Sequence, residues 1–374
     1  MNVRHALGAG VAAIALSALS TGAQATVTPA QQGLADLSEF NVIVLGNMRA
    51  SSDVEGNAYI GGNLTGSSAN FGTGTSTGQG YVPSANPTLT VGGNITLSGL
   101  QINGKYSPAG LTVGGNVSNL NLNASDGTVI VAGNLANFNG SKGSIVEYGS
   151  KSGNFNTNGA TASKLTSGQS GTLVGQIQTQ TATMAIDLKD LSKALAGLTP
   201  TAGDSVSVPT KGGDAHDLDV VANSGSGYIV IDTTTAVLNS ASNQLEEVLK
   251  SAGSKYVPVI INVTGSTADL NFNQGNTKQY DPYVLWNFEN ATSIDVPHGF
   301  NGAILAPWAT LTSSNQIEGS VAVANFVQGG EDHLGTFQGG IPLGVPEPAG
   351  WALMIIGMGA TGAALRRRRL ITVA

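Results

Sequence analysis

The chain has 374 residues, only 10% of them charged, with 52 glycines, no cysteine and a formal charge of −7. Soluble domains ordinarily carry about 25% charged residues, and phosphate contacts need clustered cations, so nucleic acid is excluded as a partner. The lack of cysteine excludes disulfides, thiolate metal sites and cysteine nucleophiles, while 41% hydrophobic residues argue against disorder.

The N-terminus is ordered as a secretory signal. Arg4 and His5 are basic, Ala6 to Leu19 is apolar, and Ala23-Gln24-Ala25 reads as a small-x-small cleavage site. Residues 1–25 are therefore expected to leave, and the mature chain to begin near Thr26. The apolar run is short for an ordinary membrane span, which needs about 20 residues.

A phrase then repeats. Ala58-Tyr-Ile-Gly-Gly-Asn63, Leu89-Thr-Val-Gly-Gly-Asn94, Leu111-Thr-Val-Gly-Gly-Asn116 and Val129-Ile-Val-Ala-Gly-Asn134 share an apolar-x-apolar strand, a glycine turn and an asparagine. Leu45-Gly46-Asn47, Glu55-Gly56-Asn57 and Ser152-Gly153-Asn154 echo it. From Asn94 onward the asparagines 94, 116, 134 and 154 lie 22, 18 and 20 positions apart. Period-2 strands recurring at this interval predict a β-solenoid. Asparagines in register can ladder between coils, and Gly-Asn corners suit left-handed backbone. A β-sandwich with glycine-rich turns is the plainer alternative.

The repeats stop near Ala160. Ile177, Met184, Leu188, Leu191, Leu195 and Leu198 fall mostly three and four apart, which predicts a helix over about 173–198, ended by Gly197 and Pro200. It would lie along the solenoid and cover one face. A second short helix is expected over Asn243 to Ala252. Strand text returns at Tyr228 to Asp232, Tyr256 to Val263, Asn301 to Thr312 and Ile317 to Ala324, so the chain leaves the solenoid, adds a helix and returns to complete it. The fold class is mainly β, a solenoid interrupted by an accompanying helix, with a signal helix before it and a transmembrane helix after it.

The C-terminus runs Val345-Pro346-Glu347-Pro348-Ala349-Gly350-Trp351-Ala352, then apolar residues to Leu365, then Arg366, Arg367, Arg368 and Arg369. Trp351 suits one membrane interface, and the arginines suit the cytoplasmic end. Without Arg4, the four arginines and Glu347, the formal charge moves from −7 to −11, and Arg49 is the sole mature arginine. That charge suits direct grip on anionic polysaccharide poorly, unless cations bridge the two.

Residues 344–374 resemble the PEP-CTERM sorting signal in its P-E-P-x-x-W-A variant. That resemblance implies recognition and cutting by an exosortase, with Pro346, Glu347, Pro348, Trp351 and Ala352 as the motif. Phe40 to Asn47 with Asp53 to Asn57 and Gly61-Gly62-Asn63, Val284 to Ala291 with Gly302 to Pro307, and Gly329 to Leu334 with Phe337 and Gly339 together resemble the choice-of-anchor A domain. Residues 26–343 would form that domain, and the resemblance implies adhesion at a bacterial surface with no known catalytic residues. The Ala-Pro-x-Ala text at 306–309 is also similar to ice-binding β-solenoids. The expectation is a non-enzymatic, exported adhesive or matrix protein without a cofactor. Its partners would be the secretion machinery, an exosortase and an extracellular matrix protein or polysaccharide. A carbohydrate-active solenoid enzyme and an ice-binding protein are the alternatives.

Few polar clusters stand out. Asp214, His216, Asp217 and Asp219 alternate in a way that could ligate Ca²⁺, but lack the EF-hand pattern, and a solvated loop is the commoner outcome. Glu331, Asp332 and His333 sit in a glycine-flanked loop, as a ligand site, an acid–base group or a structural cap. Thr73-x-Thr75, Thr88-x-Thr90 and Thr310-x-Thr312 would order water if they formed a flat array. Tyr280, Tyr283 and Trp286 could stack on sugars, with core packing the expected role of Trp286. His298 is assigned nothing, and no G-x-S-x-G elbow occurs.

Overall fold

Strands dominate the computed structural model, which describes residues 27–343 except 75–83, 105–109, 213, 225–226, 250, 253–254 and 275–280. Coils stack in parallel register and build three ladders. The first runs in space from Ile229–Thr234 through Val259–Thr264, Val284–Phe288 and the early parts of Ala303–Ser313 and Val321–Gln328. It continues through Val42–Val44, Ala58–Ile60, Leu89–Val91, Gly110–Val113, Thr128–Asn139 and Ile145–Asn156 to Thr161–Lys164. The second ladder includes Met48–Ala50, Leu64–Phe71, Ile95–Ile102 and Val117–Leu122. A third joins Phe300–Asn301, Ile317–Glu318 and Asp332–His333, and Val54 bridges Asp332 to Phe71.

The spatial order differs from the chain order at one place. Val42 pairs with Ala58 on one side and with Val321 on the other. The first coil is thus sandwiched between the second coil and the last. The chain fills the stack outward from this seam to Lys164, then returns and fills it from the opposite end.

Alternation explains the residues chosen. In the first ladder Val42, Val44, Ala58, Ile60, Leu89 and Val91 point into the coil interior. Ile43, Tyr59, Ile260, Leu285 and Ala322 point outward, yet they too are buried. A parallel strand covered on both faces reads as an unbroken apolar run, as in Val259-Ile-Ile-Asn-Val263.

Two helices supply the outer cover. Helix α1 spans Pro29–Glu39 and α2 spans Ser167–Ala196. Leu188, Leu191 and Leu195 are fully buried on α2, and each such side chain contributes about 1.5–3 kcal/mol. Polar contacts fix its register. Ser192 Oγ donates to Asn287 Oδ1 at 2.6 Å, Asn287 Nδ2 donates to Asn262 Oδ1 at 2.9 Å, and Asn262 Nδ2 donates to Leu195 O at 3.0 Å. Tyr59 Oη donates to Ile177 O at 3.1 Å.

The helix expected over 173–198 begins earlier, because Thr166 and Gln169 form a reciprocal capping box. Helix α1 is an addition to the expected elements, and it too starts at such a box, Thr28 with Gln31, followed by proline at the first turn. The helix expected over Asn243 to Ala252 is instead strand. Leu245–Leu249 pairs in parallel with Leu218–Ala222, and Ser251–Ala252 pairs with Lys255–Tyr256. Adding a rung to the ladder outweighed the weak helical preference of Glu246 and Glu247.

The Gly-Gly-Asn corners also differ from expectation. Their glycines do not take positive φ. What they require is room. A Cβ on Gly92 would lie 2.1 Å from Gly61 O, and one on Gly93 would lie 2.4 Å from Asn63 Oδ1. Left-handed backbone falls instead at Asn119 and Asn137, with φ of 59° and 52°.

Candidate functional site

The Glu331-Asp332-His333 loop lies at the seam. Pairing of Ile317–Glu318 with Asp332–His333 sets Glu318 beside His333. His333 Nδ1 is 2.6 Å from Glu318 Oε1, and Nε2 is 3.1 Å from Glu331 Oε2. The bond to buried Glu318 pushes the imidazole up to about 9, against the opposing effect of burial. Asp332 is fully buried, and burial raises its carboxyl to about 8 even though Gln328 Nε2 donates to it at 2.7 Å. At neutral pH the loop therefore holds an imidazolium between two carboxylates beside a protonated acid. His333 O accepts from Asn41 Nδ2 at 3.0 Å, and Glu55 Oε2 accepts from Leu334 N at 2.8 Å. Both ring nitrogens are engaged within the last two rungs, and the bonds from Asn41 and to Glu55 tie this loop to the first coil. The trio is a clasp across the seam.

The 214–219 cluster is dispersed by its backbone. Asp214 is exposed, Asp217 Oδ1 accepts from Gln244 N at 3.2 Å, and Asp219 stands in the strand Leu218–Ala222. Among the described residues no three His, Cys, Asp or Glu side chains are grouped so as to hold a metal by themselves. Trp286 is fully buried and packs edge-on to Phe300, as expected of a core residue. Tyr283 lies beside Tyr256, whereas Tyr280 is outside the described residues. His298 Nε2 lies 3.0 Å from Asn271 Oδ1.

The corner asparagines form a continuous row. Asn325 Oδ1 accepts from Asn47 N, Asn47 Oδ1 from Asn63 N, Asn63 Oδ1 from Asn94 N, Asn94 Oδ1 from Asn116 N and Asn116 Oδ1 from Asn134 N, all at 2.8–3.0 Å. Asn154 belongs elsewhere: its N–H donates to Asn137 Oδ1, and Ser150 and Ser152 meet Asn134 instead. Asn47, Asn63, Asn94 and Asn116 are exposed, and Arg49, Thr65 and Thr96 stand in register two residues along. This uncovered face is a straight array of amides and hydroxyls at the strand spacing of about 4.8 Å. The Thr-x-Thr pairs do not form such an array. Thr88 and Thr90 are buried, Thr310 and Thr312 are half-buried, and Thr75 is outside the described residues.

Between α1 and α2 lies a cavity of about 300 Å³ lined by Gln32, Asp36, Glu39, Asn86, Gln180, Thr183 and Asp187, among others. Burial raises Asp36 to about 6, partly offset by its bond from Gln32 and reinforced by Asp187 and Glu39. Asp187 is raised by burial and then by Asp190. The group is not apparent in the sequence because its two halves lie about 150 residues apart, and one half stands on α1, which the apolar pattern does not reveal.

The two ends of the described chain meet beside α2. Gln31 Nε2 donates to Leu343 O at 3.2 Å, and Thr28, Pro29, Ala194, Leu198 and Leu343 line one apolar hollow. The signal residues Ala23 and Ala25, the motif Pro346 to Ala352 and the arginines 366–369 lie outside the described residues. Among the described residues no helix is long and apolar enough to cross a membrane. A family model described as "Putative Ice-binding-like adhesive domain" matches residues 33–129 and 108–334, which together cover the whole coil stack. No curated protein and no solved structure matched the chain.

Proposed function

Since the chain belongs to the ice-binding-like adhesive domain family, we propose that it is an exported bacterial surface or matrix protein that adheres without catalysis. The observation that carries this reading is the family match over residues 33–334. The coil stack supports it physically. A solenoid presents a long, stiff surface, and the uncovered row of Asn47, Asn63, Asn94 and Asn116 offers amides at regular spacing.

Adhesion would use a neutral polysaccharide or a matrix protein. The acidic mature chain with its single arginine disfavours direct contact with anionic ligands. The N-terminal order predicts export, and Pro346-Glu347-Pro348 with Trp351 and Ala352 predicts sorting by an exosortase. Before processing, the apolar segment and Arg366 to Arg369 would hold the protein in the inner membrane. With Thr28 and Leu343 meeting beside α2, such a tether would leave from the helical side.

Two measurements test the proposal. Cells carrying wild-type tail or Pro346→Ala/Glu347→Ala/Pro348→Ala are fractionated. Processed protein at the surface or in the matrix, with the variant retained full-length in the inner membrane, is the expected result. Wild type that stays full-length in the inner membrane would overturn exosortase sorting. Purified mature protein is then tested for binding to cells, matrix proteins and exopolysaccharide. Failure to bind any of them, together with unchanged biofilm on deletion, would overturn adhesion. Thermal hysteresis and ice shaping in place of binding would make it an ice-binding protein.

A further inference from the structure

We propose that the cleft between α1 and α2 is a calcium site that clamps the N-terminal helix onto the solenoid, with Asp36 and Asp187 as its charged ligands. The cleft is built by two helical stripes. Gln32, Asp36 and Glu39 lie four and three apart on α1, and Gln180, Thr183 and Asp187 lie three and four apart on α2, so each set shares one face. The helices touch at Gly33, where a Cβ would sit 2.5 Å from Asp187 O. Asp36 follows one turn later and is thereby brought to the cavity that Asp187 also lines.

The electrostatics are unresolved without a cation. Asp36 is 6% exposed and Asp187 5% exposed, and among the described residues no lysine or arginine lines the cavity. Asp36 Oδ1 accepts from Gln32 Nε2 at 3.1 Å, whereas Oδ2 is buried with no hydrogen-bond partner. A buried acceptor without a donor is costly and asks for one. Glu39 is engaged elsewhere, its Oε1 accepting from Ser84 Oγ and Asn86 Nδ2, both at 2.7 Å.

The oxygen set suits Ca²⁺. Hard oxygen ligands exclude the softer metals, and Mg²⁺ demands a stricter octahedron than two facing helices provide. Three carboxylates are not grouped to hold an ion by themselves. The shell would therefore be Asp36 and Asp187, completed by neutral oxygens from Thr183, Gln180 or Asn86 and by water. A two-carboxylate, partly hydrated shell belongs with weak extracellular sites, with Kd of about 10⁻⁴–10⁻³ M.

The test uses the mature chain, stripped with a chelator and titrated with CaCl₂ by calorimetry at neutral pH, with melting temperature followed in parallel. The wild type is expected to bind one Ca²⁺ and to melt higher with Ca²⁺ than with equal Mg²⁺. Asp36→Asn and Asp187→Asn each relieve repulsion, so both variants should fold, and each should weaken binding by about tenfold or more. Asp214→Asn, in the exposed loop, should leave binding unchanged. The proposal is overturned if the wild type shows neither heat nor a melting shift, or if the response survives in the Asp36→Asn/Asp187→Asn double variant. Should a variant fail to fold, the wild-type titration still decides, since silence there is sufficient to reject the site.

Discussion

The seam clasp makes the stability of the fold depend on pH in a stated direction. His333 binds its proton at about 9 in the folded chain, against an ordinary 6.5. Undiminished, that difference amounts to about 3 kcal/mol. The side chain is 26% exposed, and solvent screening reduces the expectation to about 1–2 kcal/mol. Because the folded value is the higher one, the stabilisation is complete below pH 6.5 and fades as pH rises through 9. Asp332 acts in the same direction. Its carboxyl is raised to about 8, so ionising it in the folded state costs increasingly as pH climbs from about 4 to 8. The assay is urea unfolding of wild type and His333→Gln at pH 6, 7.5 and 9.5. Wild type should exceed the variant by about 1–2 kcal/mol at pH 6, and the gap should largely close at pH 9.5. A gap that is constant across this range, or that widens with pH, would refute the clasp as an imidazolium held by Glu318.

Further outcomes follow from packing and from the corner row. Leu188→Ala should cost about 2–5 kcal/mol, because Leu188 is fully buried under α2; far-UV circular dichroism melts measure it, and a loss below about 1 kcal/mol would mean the helix is not anchored there. Gly61→Val places a Cβ 2.4 Å from both Leu45 O and Thr181 Cγ2. It should cost about 1–3 kcal/mol and speed proteolytic cleavage within α2. Asn94→Ala removes the acceptor for Asn116 N at an exposed corner, and a loss of about 0.5–1.5 kcal/mol is expected, with the strand content of the spectrum retained.

The coils were legible because each carries its own punctuation. Gly-Gly-Asn appears three times at the same place in the rung, and the asparagines do ladder, though the reason for the glycines is the close approach of the coil beneath. The core stripe of α2 was legible for the same local reason. Its first six residues were not, since Ser167 to Thr172 carry no buried side chain. The capping boxes at Thr28 and Thr166 were the available signals for both helix starts. The strand Leu245–Leu249 was hidden by composition, because what decides it is a neighbour, Leu218–Ala222, rather than its own residues. The trio 331–333 was picked out locally, but its distant partners, and the interhelical cleft, were beyond local reading. Glu55 meets Leu334, and Asp36 meets the Asp187 side of α2, only after the chain has closed on itself.

That closure governs the order in which the protein can fold. The strand Val42–Val44 obtains one neighbour from Ala58–Ile60 almost at once but must wait for Val321–Gln328 for the other. Contacts of such sequence separation form late, since loop-closure entropy must be met before they stabilise anything. Until then the first coil has a naked edge, and edges invite pairing with other chains. A chain cut short anywhere before residue 321 leaves that edge open for good. Loss of the last coil should therefore turn the half with the best repeats, residues 42–164, into the part that aggregates.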